Sequence, residues 1–332
     1  YYILMIVSKS PFRVSFFGGG TDFPEWYLKE GGSVIGSAID KYSYLFVRRL
    51  PPFFNHKHRI VYSKIELVKN FEEIKHPAFK HILKHFDPKY GLEFLYNGDL
   101  PAKSGLGSSS SLAVNILKAM NFLFDFNIKK KEIAEEAIRF EQKVMRENVG
   151  CQDQYFAAYG GFNKIKFNKN GNIVVEKIKI SKKNLKKFEK GLFLIHTGKS
   201  RFSSEISAQT KSNISSKYKE LNEIKNFVNL FEKEIIKDKL SLSEIGNLLN
   251  ESWKYKKSLA SSIDNYKSSE IINYVKKLGA YGCKVIGAGG GGFILVICEE
   301  SNQKKIFETF KKHVLVKFKL DAVSPEVKIL IN

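Results

Sequence analysis

Hydrophobic and polar positions follow two different periods along this chain. In the first part, Ile6 to Phe17, Ser33 to Arg49 and Leu92 to Tyr96 are rich in β-branched and aromatic residues and broken by glycine, the pattern of strands joined by turns. Apolar positions then recur at helical spacing over Ser110 to Phe124 and Lys130 to Met145. A turn signal, Phe167-Asn168-Lys169-Asn170-Gly171-Asn172, separates two strand-like runs and predicts a hairpin. Gly191 to His196 reads as a strand, and helices dominate from Ser203 to Leu278. A strand pair, Cys283 to Ile286 and Phe293 to Cys298, brackets a run of glycines; the tail reads as a helix, Asn302 to Phe318, then a strand, Glu326 to Ile331. There is no repeat and no long linker. The order predicts an α+β class with two closely packed halves, 5–187 and 188–332, divided in the lysine-rich stretch before Gly191.

Composition narrows the function. A length of 332 residues suits one large domain or two ordinary ones. No apolar run approaches the roughly 20 residues of a membrane span. The opening Tyr1 to Val7 is too short for a signal segment and lacks a basic flank, and Met5 reads as the native start. Three cysteines, Cys151, Cys283 and Cys298, have no metal-ligand spacing, which fits a reduced cytoplasm. The net charge of +21 raises the question of nucleic acid, but the lysines are scattered through helical segments with no compact, aromatic-laced stripe. An anionic small substrate is the simpler reading, with neither a nucleic-acid nor a membrane partner.

Three glycine-rich segments suggest loops converging on one polyanionic ligand: Gly18-Gly19-Gly20-Thr21-Asp22, Gly105-Leu106-Gly107 running into Ser108 to Ser111, and Gly287 to Gly292. The second joins a strand to a helix through Pro101-Ala102-Lys103-Ser104-Gly105-Leu106-Gly107-Ser108-Ser109. Such a turn aims free N–H groups and the helix dipole at one spot, an anion site. No Gly-Lys-Ser/Thr closes it as a P-loop would, while Gly198-Lys199-Ser200 has that ending without the first glycine. Gly287 to Gly292 satisfies G-x-G-x-x-G, yet a strand follows it, which is wrong for a dinucleotide fold. Glu141 falls on an apolar helical face and must be ion-paired or metal-bound. Asp153, before the apolar Tyr155 to Tyr159, reads as either a helix N-cap or a general base. Arg13, just ahead of the first glycines, suits a grip on phosphate, and Asp22 suits sugar hydroxyls. His56 and His58 read as solvated loop residues.

These residues resemble the GHMP kinase superfamily, named for galactokinase, homoserine kinase, mevalonate kinase and phosphomevalonate kinase. Its three motifs are matched in order by Ser10 to Asp22, Pro101 to Ser111 and Lys284 to Gly292. Within the superfamily the chain is most similar to the bacterial heptokinase group, through the triple glycine before Thr21-Asp22, Gly150-Cys151-Gln152-Asp153-Gln154-Tyr155 with Gly160-Gly161-Phe162-Asn163, and Trp253 to Leu259. The resemblance implies a two-domain fold, with an N-terminal ribosomal-protein-S5-like domain and a C-terminal ferredoxin-like α/β domain. It implies that Pro101 and Ser104 to Ser110 wrap ATP, and that Ser109 (or Ser108) and Glu141 hold Mg²⁺. Asp153 is the implied catalytic aspartate and Arg13 its partner. Gly19, Gly20, Thr21, Asp22, Gly289 and Gly290 are the implied sugar wall, with Lys199, Arg201 and Lys257 as candidates for a substrate phosphate. The implied reaction is ATP-dependent phosphorylation of D-glycero-D-manno-heptose 7-phosphate at its anomeric hydroxyl. A fucokinase-like sugar 1-kinase, or a non-catalytic sugar and ATP sensor, are the alternatives. One departure bears on substrate: galactokinases carry Glu-His where Gly19-Gly20 stand, which argues against galactose. Another is Lys103, where many relatives have a small residue.

Overall fold

The computed structural model describes residues 5–198 and 203–331. The first strands are β1 Met5–Phe17, β2 Gly32–Leu50, β3 His58–Val61, β4 Ile65–Val68, β5 Gly91–Gly98, β6 Phe162–Phe167 and β7 Ile173–Lys177. Later come β8 Leu192–His196, β9 Gly282–Val285, β10 Phe293–Ile297, β11 Leu315–Val316 and β12 Glu326–Ile331. The helices are α1 Pro24–Glu30, α2 Pro77–Phe86, α3 Ser108–Leu123, α4 Lys130–Ile138, α5 Gln152–Tyr159, α6 Lys182–Lys190, α7 Ser203–Ser212, α8 Tyr218–Ile235, α9 Leu242–Ser258, α10 Tyr266–Lys277 and α11 Glu300–Thr309. The expected α+β architecture is present.

One sheet runs β12-β1-β2-β5-β3-β4, with the β6–β7 hairpin attached to the first part of β2. The other runs β11-β8-β10-β9 and is antiparallel throughout. β12, at the far end of the chain, returns to pair with β1, so the first sheet draws strands from both sides of 187/188. The predicted helix to Phe318 stops at Thr309, because Leu315 and Val316 leave to pair with β8. His58 is also misread by the sequence. It lies fully buried on β3, its Nδ1 accepts the Leu92 N–H at 3.3 Å, and burial pushes its pKa down to about 4.

β1 explains why the halves hold together. Its exposure alternates up to Ser10, and every residue from there to Phe17 is buried. A strand covered on both faces needs apolar residues on both. Phe12, Val14 and Phe16 share one core with Leu192 and Leu194 of β8 and Leu295 and Ile297 of β10. Phe231 of α8 packs on Phe16 and Phe17, with ring centroids 5.6 and 4.7 Å apart. An apolar junction of this kind resists the relative motion that polar domain interfaces allow.

Candidate active site

The register of β1 against β2 shifts between Pro11 and Arg13. A bulge re-aims the side chain that follows it, and Arg13 is turned wholly inward. Its Nε and Nη2 donate to the two carboxylate oxygens of Asp153, each at 2.7 Å, and Nη1 donates to the Gly105 carbonyl. This is the two-pronged guanidinium–carboxylate pairing. The Arg13 backbone N–H also reaches the Leu106 carbonyl at 3.1 Å, tying β1 to the second glycine loop.

The second and third loops lie back to back. Gly105 has φ +79°, and a Cβ there would stand 2.4 Å from the Ile286 oxygen. At Gly287, with φ +76°, a Cβ would stand 2.6 Å from the Gly105 oxygen. Only glycine fits either position. Between these loops and the first opens a cavity of about 550 Å³, of ordinary size for a small-ligand site. It is lined by Gly18 to Gly20, by Gly105 and Gly107 to Ser110, and by Gly287 and Ala288. Helix α3 starts at Ser108, so the N–H groups of its first turn have no partner within the helix.

Other expected residues lie elsewhere. Pro101 is exposed and off the lining, and Leu106 is a core residue. Ser104 is buried beneath the loop, its hydroxyl unpartnered. The Thr21 hydroxyl donates to the carbonyls of Gly18 and Ser33 at 2.8 and 2.9 Å, which makes it a brace of the first loop. Gly289 packs on Ile263 and the Gly290 N–H bonds the Ile263 carbonyl at 2.7 Å, so neither lines the cavity. Lys257 turns to Asp264, at 3.3 Å, and its neighbour Lys256 lines the cavity instead. Lys199 and Arg201 fall outside the described residues.

Asp153 is the second residue of α5, whose N-cap is Cys151, so it is not a cap. A Cβ on Gly107 would lie 3.4 Å from its Oδ2, which sets the second loop directly against the Arg13–Asp153 pair. Burial raises the Asp153 pKa and Arg13 works against that rise. Glu141 sits where α4 widens into a π turn, Arg139–Val144, a local form often found at functional sites. It is fully buried behind Ser110, whose hydroxyl donates to its two oxygens at 3.1 and 2.8 Å, while Gln154 Nε2 donates to Oε2 at 2.5 Å. Ser109, by contrast, is exposed on the cavity lining. Burial pushes the Glu141 pKa up to about 7, and the charges of Glu147 and Asp153 add to the rise.

At the opposite end, Asp22 accepts the Gly20 N–H at 2.9 Å and Gln152 Nε2 at 3.0 Å. Gly150 is needed there, because a Cβ would fall 1.9 Å from Asp22 Oδ2. Two lysines missed in the sequence complete this end. Lys256 Nζ donates to the Gly19 carbonyl at 3.1 Å, and Lys284 Nζ to those of Ser15 and Phe16 at 3.1 and 2.8 Å. Burial pushes the Lys284 amine down to about 7, helped by the charges of Lys256 and Arg13. A lysine inside the apolar run Cys283-Lys284-Val285-Ile286 was the available signal for it. Ser15 Oγ and Gln152 Oε1, on residues that line the cavity, are buried without partners, as polar atoms awaiting a ligand would be.

Among the described residues no three histidine, cysteine, aspartate or glutamate side chains cluster as a ready-made metal site. Mg²⁺ does not require one, since it takes one or two carboxylates and completes its shell with water and substrate phosphate oxygens. Glu141, a carboxylate with only neutral donors around it and the Ser110 hydroxyl between it and the cavity, has the donor chemistry that suits this ion.

The GHMP kinases N terminal domain matches residues 67–161 and the GHMP kinases C terminal domain residues 231–314, together just over half the chain. A D-glycero-alpha-D-manno-heptose 7-phosphate kinase of Campylobacter jejuni is 27% identical over 323 residues, 92% of this chain and 93% of that protein. A galactokinase of Pyrococcus furiosus is 25% identical over 338 residues, 94% of each. The crystal structure of a D-glycero-D-manno-heptose 1-phosphate kinase from Bacteroides thetaiotaomicron superposes with a TM-score of 0.78 at 21% identity, over 98% of this chain and all of that one. The chain therefore belongs to the GHMP kinases, as a phosphotransferase that acts on an alcohol group and a sugar kinase of that family.

Proposed function

We propose that the protein transfers the terminal phosphoryl group of ATP to the anomeric hydroxyl of a sugar phosphate, with D-glycero-D-manno-heptose 7-phosphate as the acceptor. The observation that carries this reading is the Arg13–Asp153 pair, set between the second glycine loop and the Asp22 end of one cavity. The loop amides and the α3 N-terminus receive the donor's phosphates. Asp22, Gln152 and the Gly19–Gly20 backbone orient the sugar hydroxyls. Asp153 accepts or orients the proton of the attacking hydroxyl, which is more acidic at an anomeric carbon than in an ordinary alcohol. Arg13 offsets charge on the moving phosphoryl group. Glu141, with the hydroxyls of Ser109 and Ser110, would hold Mg²⁺, which supplies charge neutralisation on the donor phosphates.

Choice of acceptor rests on the heptokinase-like motifs, the Campylobacter jejuni relative and the Gly19-Gly20 departure from galactokinases. The test is ATP turnover against heptose 7-phosphate, free heptose, galactose and mevalonate. Turnover with the heptose 7-phosphate far above the others is expected. Equal or better turnover of a non-phosphorylated hexose would overturn the acceptor and leave the kinase reading intact.

A further inference from the structure

We propose that Lys256 is the specificity-determining residue that lets this enzyme prefer an acceptor carrying its own phosphate group. The inference rests on the sugar-phosphate reading above. A doubly charged substituent on the acceptor needs a cation that the transfer machinery has not already engaged. Among the described residues the lysines and arginine on the cavity lining are Arg13, Lys103, Lys256 and Lys284. Arg13 is committed on all three nitrogens to Asp153 and Gly105. Lys284 holds two carbonyls at the end of β1. Lys103 belongs to the second glycine loop, on the donor's side. Lys256 stands at the acceptor end, and its single described bond, to Gly19, uses one of three N–H donors.

The surroundings of Lys256 fit a phosphate. Ser252, one helical turn earlier on α9, lines the same cavity, as do Ser207 and Thr210 of α7. An ammonium and hydroxyl donors lining one cavity are a usual set for phosphate oxygens. Asp22 faces the Gly20 N–H and Gln152, and Lys256 Nζ bonds the Gly19 carbonyl rather than that carboxylate. Burial lowers the Lys256 pKa, and the charge of Asp22 works against that fall.

The competing role is a strap that merely fixes the Gly19 carbonyl, and acceptor preference separates the two. Steady-state kinetics of wild type, Lys256→Gln and Lys256→Arg are compared on heptose 7-phosphate and on the same heptose without phosphate. Losing one charge-assisted bond is expected to lower the preference for the phosphorylated acceptor by about 10–10²-fold, mainly through KM. Arginine should restore most of it. Should Lys256→Gln fold poorly, Lys256→Met keeps the packed aliphatic stem and gives the same readout. Equal losses on both acceptors, or an undiminished preference, would overturn the inference. A wild-type enzyme with no preference for the phosphorylated heptose would instead overturn the acceptor reading on which it rests.

Discussion

Asp153, on the cavity lining and a quarter exposed, and Glu141, fully buried behind Ser110, are carboxylates that the protein treats in opposite ways. Asp153 meets a guanidinium from β1 with both oxygens, so its charge is balanced by the chain itself. Glu141 meets only Ser110 and Gln154, which are neutral, and its nearest charges are negative. Burying a charge without a counter-ion is costly. The first arrangement therefore reads as a group held ready for proton and phosphoryl chemistry. The second reads as a place where the chain leaves the balancing cation to come from outside. The two sites should therefore fail differently when each is made neutral.

The larger failure is expected at Asp153. Asparagine cannot accept a proton, and general-base assistance is typically worth about 10²–10⁴ in rate. Asp153→Asn should lose turnover in that range while still binding nucleotide. It should also lose about 1–3 kcal/mol of stability, because Arg13 stays buried with one acceptor weakened. Steady-state kinetics, nucleotide titration and a thermal melt on the one variant check this. Near-normal turnover would remove Asp153 from the mechanism and shift the burden to positioning by Arg13 and the loops.

Glu141→Gln should act through the metal and through pH. A smaller drop in turnover, about tenfold or more, should come with a raised Mg²⁺ requirement. Folding raises the Glu141 pKa from 4.5 to about 7, so the folded state keeps a proton that the unfolded chain releases. Its stabilisation is complete below about pH 4.5 and is lost as pH rises through about 7. Without divalent cation, wild type should therefore lose about 3 kcal/mol across that window relative to Glu141→Gln. Added Mg²⁺ at neutral pH should recover wild type and leave the variant unmoved. Parallel stability curves for the two proteins, with and without Mg²⁺, would erase the contrast with Asp153.

Much of this contrast was legible in the sequence, and its gaps have physical causes. Glu141 could be picked out because helical spacing put a carboxylate among apolar positions, but spacing could not reveal the π turn that buries it behind Ser110 rather than Ser109. The glycine loops were visible as a class, whereas the stacking of Gly105 on Gly287 depends on a contact between distant parts of the chain. Asp153 reads as either cap or base, because both begin a helix with the same residue; its partner Arg13 lies 140 positions away, and the cap is Cys151. On α9, Leu249, Ser252 and Trp253 face inward, and either Lys256 or Lys257 continues that face at helical spacing. Periodicity cannot choose between them; in the structure Lys256 lines the cavity and Lys257 meets Asp264. The return of β12 to β1 likewise joins the two ends of the chain, where local pattern carries no information.

The acceptor end offers a subtler test. A methyl group at Gly150 would overlap Asp22 Oδ2 and force the carboxylate off the Gly20 N–H and Gln152. Gly150→Ala should raise the acceptor's KM by about tenfold, the scale of one lost positioning bond, and leave the KM for ATP unchanged. Gly19→Ala is the control, since its Cβ would meet nothing closer than Gln152 Nε2 at 3.7 Å. Its melting temperature should match wild type. A change in the ATP KM of Gly150→Ala would mean that the donor and acceptor ends are not the separate regions described above.

The smallest effect is expected two residues from Asp153. Cys151 lies close enough in sequence to be mistaken for part of the site, yet its thiol faces away from it. It is 1% exposed, within 3.3 Å of Gln142 Nε2 and 4.0 Å of the Tyr27 hydroxyl, and burial pushes its pKa up to about 12. A thiol that is neither ionised nor reachable is a poor nucleophile and behaves as a small apolar side chain. Iodoacetamide should therefore leave Cys151 unlabelled in the folded protein, and bound nucleotide or sugar should make no difference. Cys151→Ala should cost about 1 kcal/mol of stability and change kcat and KM by less than about twofold. Mass spectrometry of the labelled protein, with kinetics of the variant, checks both. Rapid labelling that abolishes turnover and is blocked by the acceptor would put the thiol inside the cavity and make the first turn of α5 more open than its packing against Tyr27 and Gln142 allows.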